Sequence, residues 1–132
     1  DLGIAAGADG MMRLAPGLVR IPDVSFISWK RLPNRRVPRE PVARLGPDLA
    51  VEVLSEGNTE KEMERKLREY FTAGAQLVWI VDLEARTVAV YTDPEDCTVL
   101  HERQTLTGGD VLPGFTLPLR RLFARAEGRR GR

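Results

Sequence analysis

Residues 49–81 read LAVEVLSEGNTEKEMERKLREYFTAGAQLVWIV and contain two apolar stretches separated by an amphipathic one. The first stretch, residues 49–54, has five apolar residues and one charge, which predicts a strand. The second stretch, residues 77–81, is apolar throughout, which is typical of a strand covered on both faces. The pattern therefore favours two strands in the interior of a sheet.

The segment between these strands carries the signals of a helix at both of its ends. Thr59 followed by Glu62 three residues later forms a capping box, and Gly74 stands where a helix-terminating glycine is expected. The apolar side chains recur at helical spacing and would form one face: Met63, Leu67, Tyr70 and Phe71. Strand, helix and strand in this order predict a βαβ unit with parallel strands and a right-handed crossover.

The rest of the chain reads as short strands and turns around this unit. Strands are predicted at residues 11–14, 18–21, 24–28, 87–92, 98–101 and 104–106. Residues 117–124 predict a short helical turn, and residues 125–132 a basic, flexible tail. The fold class is therefore α/β, with a mixed, twisted sheet and one main crossover helix in a domain spanning residues 1–124.

Composition narrows the class of protein. A chain of 132 residues matches the usual size of one domain. Cys97 is the only cysteine and His101 the only histidine, which excludes an internal disulfide and a Cys/His zinc site. No apolar run approaches the ~18 residues of a membrane span, and no secretion leader is evident. We expect a soluble, cytoplasmic protein with no membrane partner.

Charge is balanced in total but unevenly distributed. The chain has 20 Lys and Arg against 19 Asp and Glu. Residues 48–69 contain seven acidic and four basic side chains, whereas residues 30–44 and 120–132 each contain six basic side chains and one acidic. Such basic segments are able to contact nucleic-acid phosphates, and they are equally well explained as a solvated loop and tail. Net charge alone does not decide whether DNA is a partner.

Glu52 is the most informative single residue, because it lies in the middle of a predicted interior strand. An ionised carboxylate buried there is costly unless it is paired, hydrogen-bonded or bound to a metal. A buried salt bridge to an arginine and a functional role are both open. Asp48, at the start of the same strand, is explained by an ordinary junction between a loop and a strand.

Two further residues extend this candidate site. Asp23 follows Pro22 at a strand break, where the pair alone would indicate a turn. Lys66 flanks the apolar helix face, and either pairs with Glu62 on the helix surface or reaches a carboxylate at the sheet. Two carboxylates and an inward lysine match the needs of metal-assisted phosphodiester cleavage, in which hard oxygen ligands hold Mg²⁺ or Mn²⁺.

The ordered motifs resemble a known family. They are Pro22-Asp23-Val24, PDLAVEVLS at residues 47–55, Glu62-x-x-x-Lys66-x-x-x-Tyr70, Gly74 and VWIVD at residues 78–82. Together they are similar to the Uma-type putative restriction endonucleases, a bacterial family of the PD-(D/E)XK nuclease superfamily. The resemblance extends from about residue 10 to residue 123, and it implies a restriction-endonuclease-like fold.

The resemblance also implies roles for individual residues. Asp23 matches the family's first metal-binding aspartate, and Glu52 matches the acidic residue of its second motif. The superfamily's usual lysine would fall on Leu54, whereas in this family it lies on the following helix, at the position of Lys66. The implied activity is hydrolysis of DNA phosphodiesters with Mg²⁺ (or Mn²⁺) as cofactor, with Asp23, Glu52 and Lys66 as catalytic residues.

Other readings stay open at this point. The chain could be a nuclease-fold module that binds nucleic acid or a protein partner without cutting, or a structural fragment of a larger protein. Relatives carry an N-terminal helix that we expect this domain to lack. A homodimer is compatible with the sequence, which does not specify the oligomeric state.

Overall fold

A six-stranded mixed sheet forms the centre of the computed structural model, which describes residues 3–6, 12–15, 18–20, 24–28 and 46–130. In chain order the elements are β1 (Gly3–Ala6), β2 (Met12–Ala15), β3 (Leu18–Arg20), β4 (Val24–Ser28), β5 (Leu49–Val53), α1 (Glu60–Thr72), β6 (Leu77–Asp82), β7 (Thr87–Asp93), β8 (Asp96–His101), β9 (Thr105–Gly108), β10 (Leu112–Pro118) and α2 (Leu119–Arg130). The large sheet has the order β1-β4-β5-β6-β7-β8, and β2-β3 and β9-β10 form two hairpins.

The predicted βαβ unit with parallel strands is confirmed, and the right-handed crossover stays a prediction. Strands β5 and β6 are parallel neighbours, with Glu52 opposite Ile80, and α1 connects them. All other neighbouring strands of the large sheet are antiparallel, so the sheet is mixed, as expected. Strand β1 was not predicted; it pairs with β4 at the edge, with Gly3 opposite Ser28.

Helix α1 begins and ends as its sequence signals indicate. The Thr59 hydroxyl accepts a hydrogen bond from the Glu62 backbone N–H at 3.1 Å and caps the first turn. Gly74 has φ of 105°, the left-handed conformation that glycine adopts without steric cost after a helix. Leu67 and Tyr70 are the buried residues of the helix, and they face the sheet.

Each face of the sheet has its own core, because successive side chains of a strand point to opposite faces. The α1-side core consists of Ala50, Leu67, Tyr70, Ala75, Val78 and Ile80. The opposite core consists of Phe26, Leu49, Leu77, Trp79, Val81, Val88, Leu106, Leu119 and Phe123. Glu52 follows Ala50 by two residues on β5 and therefore projects into the α1 side.

The end of the chain differs from the sequence-based expectation. Instead of a short helical turn at residues 117–124, strand β10 is followed by the twelve-residue helix α2. Leu119 and Phe123, one helical turn apart, are both buried against the sheet, and the Leu119 N–H donates to the Gln104 carbonyl. The backbone of residues 125–130 continues this helix; the flexibility of residues 125–132 stays a prediction. Among the described residues, no helix is long and apolar enough to cross a membrane.

Tyr91 makes the stability of the fold depend on pH in the alkaline range. It lies opposite Cys97 in the β7–β8 pairing. Burial, followed by the neighbouring Cys97 thiol and the Glu64 carboxylate, raises the pKa of Tyr91 above its ordinary value of 10.0. The folded chain therefore keeps the proton of the Tyr91 hydroxyl to higher pH than the unfolded chain does. The contribution of Tyr91 to the free energy of unfolding is fully present below pH 10.0 and is lost as pH rises through the folded pKa.

We expect Tyr91→Phe to remove this contribution. Urea unfolding followed over alkaline pH should show a smaller loss of unfolding free energy in the variant than in the wild type. Absorbance titration of the phenolate in the wild type and in the variant should show that the tyrosine lost in Tyr91→Phe ionises above pH 10.0. Parallel pH profiles for the two proteins would contradict the assignment.

Candidate active site

Glu52 is a buried acid at the end of β5, one residue before the last residue of the strand. Its residue exposure is 6 %, and its neighbour across the parallel pair is the apolar Ile80. A carboxylate in this environment needs polar partners. Two partners among the described residues come from α1, and they contact different oxygens of the carboxylate.

Tyr70 is the first partner; it belongs to the motif that resembles the family, but no role in the site was predicted for it. Its hydroxyl donates a hydrogen bond of 2.7 Å to Oε1 of Glu52, and the residue is only 1 % exposed. The helical periodicity counted Tyr70 as an apolar position, which is correct for its ring. A signal was nevertheless present, because a tyrosine predicted to be buried needs a partner for its hydroxyl, and Glu52 was the acid predicted on the facing strand.

Lys66 is the second partner. Its Nζ lies 4.0 Å from Oε2 of Glu52, at the outer limit of an ion pair, and its side chain is 21 % exposed. Lys66 and Tyr70 are four residues apart on α1 and therefore lie on the same face of the helix. The alternative pairing of Lys66 with Glu62 does not form among the described residues, in which Lys66 pairs with Glu52.

Asp23, the other predicted metal ligand, lies outside the described residues, as does the basic segment at residues 30–44. Strand β4 begins one residue after Asp23, and its first residue, Val24, pairs with Val51. Val51 immediately precedes Glu52 in β5. The combination of Asp23 and Glu52 in one site stays a prediction.

Asp48 has a structural role at the junction of a loop and β5, as expected from its position in the sequence. It is buried at the opposite end of β5 from Glu52, and its Oδ2 accepts a hydrogen bond of 2.6 Å from the Ser28 N–H. Its carbonyl oxygen accepts from the backbone N–H groups of Gln76 and Leu77, at 2.8 and 3.1 Å. Asp48 therefore joins the ends of β4, β5 and β6.

The oxygen donors on the α1 side suit a hard divalent cation. Ser25 is 1 % exposed, and its Oγ makes no hydrogen bond among the described residues. It pairs with Ala50, so its side chain shares a face with Glu52, two residues farther along β5. A carboxylate and a hydroxyl fit Mg²⁺ or Mn²⁺ better than softer metals. The described residues alone contain no group of three Cys, His, Asp or Glu that could hold a metal, so Glu52 would need Asp23 as a second carboxylate.

A separate groove of about 400 Å³ at the ends of β5 and β6 is acidic but structural in character. The Asp82 carboxylate in this groove accepts hydrogen bonds from the backbone N–H groups of Glu84 and Ala85, both at 3.0 Å. The Asn58 side chain accepts one of 2.8 Å from the Ser55 N–H. These groups stabilise turns, and the buried carboxylate of β5 does not line the groove.

Comparisons with known proteins show the fold and the family of the chain. The chain is similar to a putative nuclease belonging to DUF820 from Anabaena variabilis ATCC 29413, whose crystal structure matches with a TM-score of 0.79 at 20 % sequence identity. The match covers 93 % of this chain and 69 % of that one, and it shows a shared fold. No protein with curated annotation matches the chain. A family model described as "Uma2: Putative restriction endonuclease" matches residues 1–120, and the chain therefore belongs to the Uma2 family.

Proposed function

We propose that this protein is a metal-dependent endonuclease that hydrolyses phosphodiester bonds in DNA. Its family supports a nuclease-type function. The observation that carries the finer proposal is the buried Glu52, whose two carboxylate oxygens face different partners, the Tyr70 hydroxyl and the Lys66 ammonium. Such a costly arrangement is typical of functional sites, although structural networks also produce it.

Glu52 and Asp23 are the residues that would hold the metal. Both supply carboxylate oxygens, the ligands that Mg²⁺ and Mn²⁺ prefer. A bound cation would supply Lewis acidity toward the scissile phosphate. The protein's own contribution is to fix Glu52 on an interior strand. There the packing of the α1-side core keeps the carboxylate from turning out into solvent.

Lys66 is proposed to stabilise charge on the phosphate. Hydrolysis forms a bond from water oxygen to phosphorus and breaks the bond to one deoxyribose oxygen, and negative charge builds on the oxygens around phosphorus. An ammonium held in place by Glu52 would offset that charge without reorganising during the reaction. The Lys66 side chain is 21 % exposed, so it is not enclosed by the α1-side core.

DNA is the proposed substrate because the family is of nuclease type, and the described part of the chain also has a basic helix, α2, which packs on the face of the sheet opposite to Glu52. Three arginines of α2 are exposed: Arg120, Arg121 and Arg125. Arginines of this kind contact phosphates without regard to sequence, which positions a nucleic acid but does not select bases.

One observation favours a second candidate, a nuclease-fold module that binds nucleic acid or a protein partner without cutting. The superfamily's usual lysine position is occupied by Leu54, which packs against the α1-side core. The acid and the lysine of this chain thus come from different elements. A module without activity would keep the fold and would lack only the cleavage chemistry of Glu52 and Lys66.

Supercoiled plasmid separates the two functions. With Mg²⁺ present, the chain is expected to convert plasmid to nicked and linear forms, and chelation by EDTA should stop the reaction. A non-cutting DNA-binding module would retard the plasmid in a gel and leave it supercoiled with or without the metal. An absence of metal-dependent cleavage by the wild type would contradict the endonuclease proposal.

A further inference from the structure

We propose that the outer edge of β8 pairs with the same edge of a second copy of this chain, antiparallel and about a two-fold axis at Thr98. The described part of the large sheet ends at β8, which pairs with β7 on one side only. An edge strand carries a row of backbone N–H and C=O groups to which another strand is able to bond. This pairing goes beyond the proposed function and does not depend on cleavage of DNA.

The direction of the edge groups follows from His101. Its backbone N–H donates a hydrogen bond of 2.8 Å to the side-chain oxygen of Gln104, and it therefore points away from β7. Hydrogen-bonded and non-hydrogen-bonded pairs alternate along an antiparallel ladder. His101, Val99 and Cys97 occupy every second position of a continuous register with β7. The backbone groups of Val99 and Cys97 consequently point to the outer edge as well.

The middle of β8 lacks the features that usually protect an edge strand. Charged side chains, proline, bulges and covering segments keep most edges from pairing with another chain. Residues 97–100 read CTVL, with no charge and no proline, and the shift in the β7–β8 register lies before Cys97. Val99 is 46 % exposed, more than the other exposed large hydrophobic residues of the described chain. Residues 97–100 are thus an edge suited to pairing.

The outward groups specify one register with a second copy. Because Gln104 occupies the N–H of His101, the edge offers the N–H and C=O groups of Cys97 and of Val99. Each of these groups finds a partner when Cys97 of one copy lies opposite Val99 of the other. Thr98 then lies opposite Thr98 of the second copy, and such threonine pairs are favourable across strands. The same register covers the exposed Val99 side chain with Cys97 of the other copy.

A second copy is the partner because this edge is complementary to itself. The two outward residues that flank Thr98 exchange places under the two-fold rotation that relates identical antiparallel strands. This axis is perpendicular to the sheet, so the α1 sides of both copies lie on the same face of one continuous sheet. The pairing occupies the β8 edge of both copies and therefore stops at a dimer.

Disulfide trapping tests the register. In a Cys97→Ser background, Thr98→Cys would place two thiols opposite each other, with Cα atoms about 4.5 Å apart as in a non-hydrogen-bonded pair. The control is Val99→Cys in the same background. Its two Cα atoms would be about 8 Å apart, which exceeds the ~7 Å that a disulfide is able to span.

Oxidation of the folded protein should link Thr98→Cys into a dimer on a non-reducing gel. The Val99→Cys control should stay monomeric, and so should the wild type, because Cys97 lies one residue from the axis as Val99 does. Equal linking at positions 98 and 99, or no linking of Thr98→Cys, would overturn the proposal.

Sedimentation equilibrium tests the association of the unmodified protein. One strand edge is a small interface, so the measurement should extend to about 0.5 mM protein. The apparent mass of the wild type should rise with concentration toward twice the monomer mass. Thr98→Lys should weaken this association about fivefold or more, because it places like charges directly opposite each other.

The matched control is Thr72→Lys, which adds the same charge at an exposed position at the end of α1. It should associate as the wild type does. Thr98 is exposed too, so both variants should melt near the wild-type temperature. A wild type that stays monomeric at every concentration would overturn the proposal. Dimerisation of Thr98→Lys as strong as that of the wild type would show that the copies meet at another surface.

Discussion

Glu52→Gln is expected to abolish Mg²⁺-dependent cleavage of DNA, with a rate loss of about 10³-fold or more. Glutamine has the shape of glutamate and retains an oxygen that accepts the Tyr70 hydroxyl, but it lacks the charge that a divalent cation requires. Losing a metal ligand removes several kcal/mol of transition-state stabilisation, and each ~1.4 kcal/mol corresponds to a factor of ten in rate.

The matched control for this change is Glu56→Gln. Glu56 is an exposed glutamate four residues farther along, beyond the end of β5. Cleavage rates on plasmid, DNA retention in gel shifts and far-ultraviolet circular dichroism should be compared for the two variants and the wild type. Glu56→Gln should cut normally, and both variants should be folded and retain DNA. Normal cutting by Glu52→Gln would remove Glu52 from the site.

Lys66→Ala is expected to lower the cleavage rate by about 10²-fold, the loss typical when one preorganised charge-stabilising donor is removed. The Lys66 ammonium lies beside Oε2 of Glu52 and is not locked deep in the core, so its loss should affect the reaction more than the fold. The expected signature is a fall in the rate at saturating DNA, with a smaller change in the DNA concentration needed for half-maximal rate.

Lys61→Ala is the control for the lysine. Lys61 is exposed on the first turn of α1, on the same helix as Lys66, and makes no ion pair with the described residues. Both variants remove one positive charge, so a general loss of attraction to DNA would affect them equally. An equal loss in the two would show that Lys66 acts only through net charge.

The sequence predicted the βαβ unit well because its signals are local. The capping box at Thr59, the helix period and the apolar run in β6 each depend on neighbouring residues, and each was confirmed. The packing of Lys66 toward Glu52 was one of two alternatives. Only the relative placement of α1 and β5 resolves it, and periodicity does not supply that placement.

What the sequence did not predict depends on contacts between distant residues. Strand β1 pairs with β4, and the paired residues lie 19 to 25 positions apart in the chain. Short strands of this kind have weak local patterns. Helix α2 is anchored by the burial of Leu119 and Phe123, but its continuation to Arg130 was not predicted, because residues 125–130 are mostly charged and carry no apolar repeat. The hydrogen bond from Tyr70 to Glu52 was missed for a related reason, since hydropathy describes the ring and not the hydroxyl.

The two ends of β5, a strand of five residues, have different roles. At its beginning, Asp48 ties three strand ends together through Ser28, Gln76 and Leu77. At its other end, Glu52 carries the candidate chemistry. Substitutions of Asp48 are therefore expected to act mainly on the fraction of molecules that fold, whereas the Glu52→Gln substitution is expected to act mainly on what each folded molecule does.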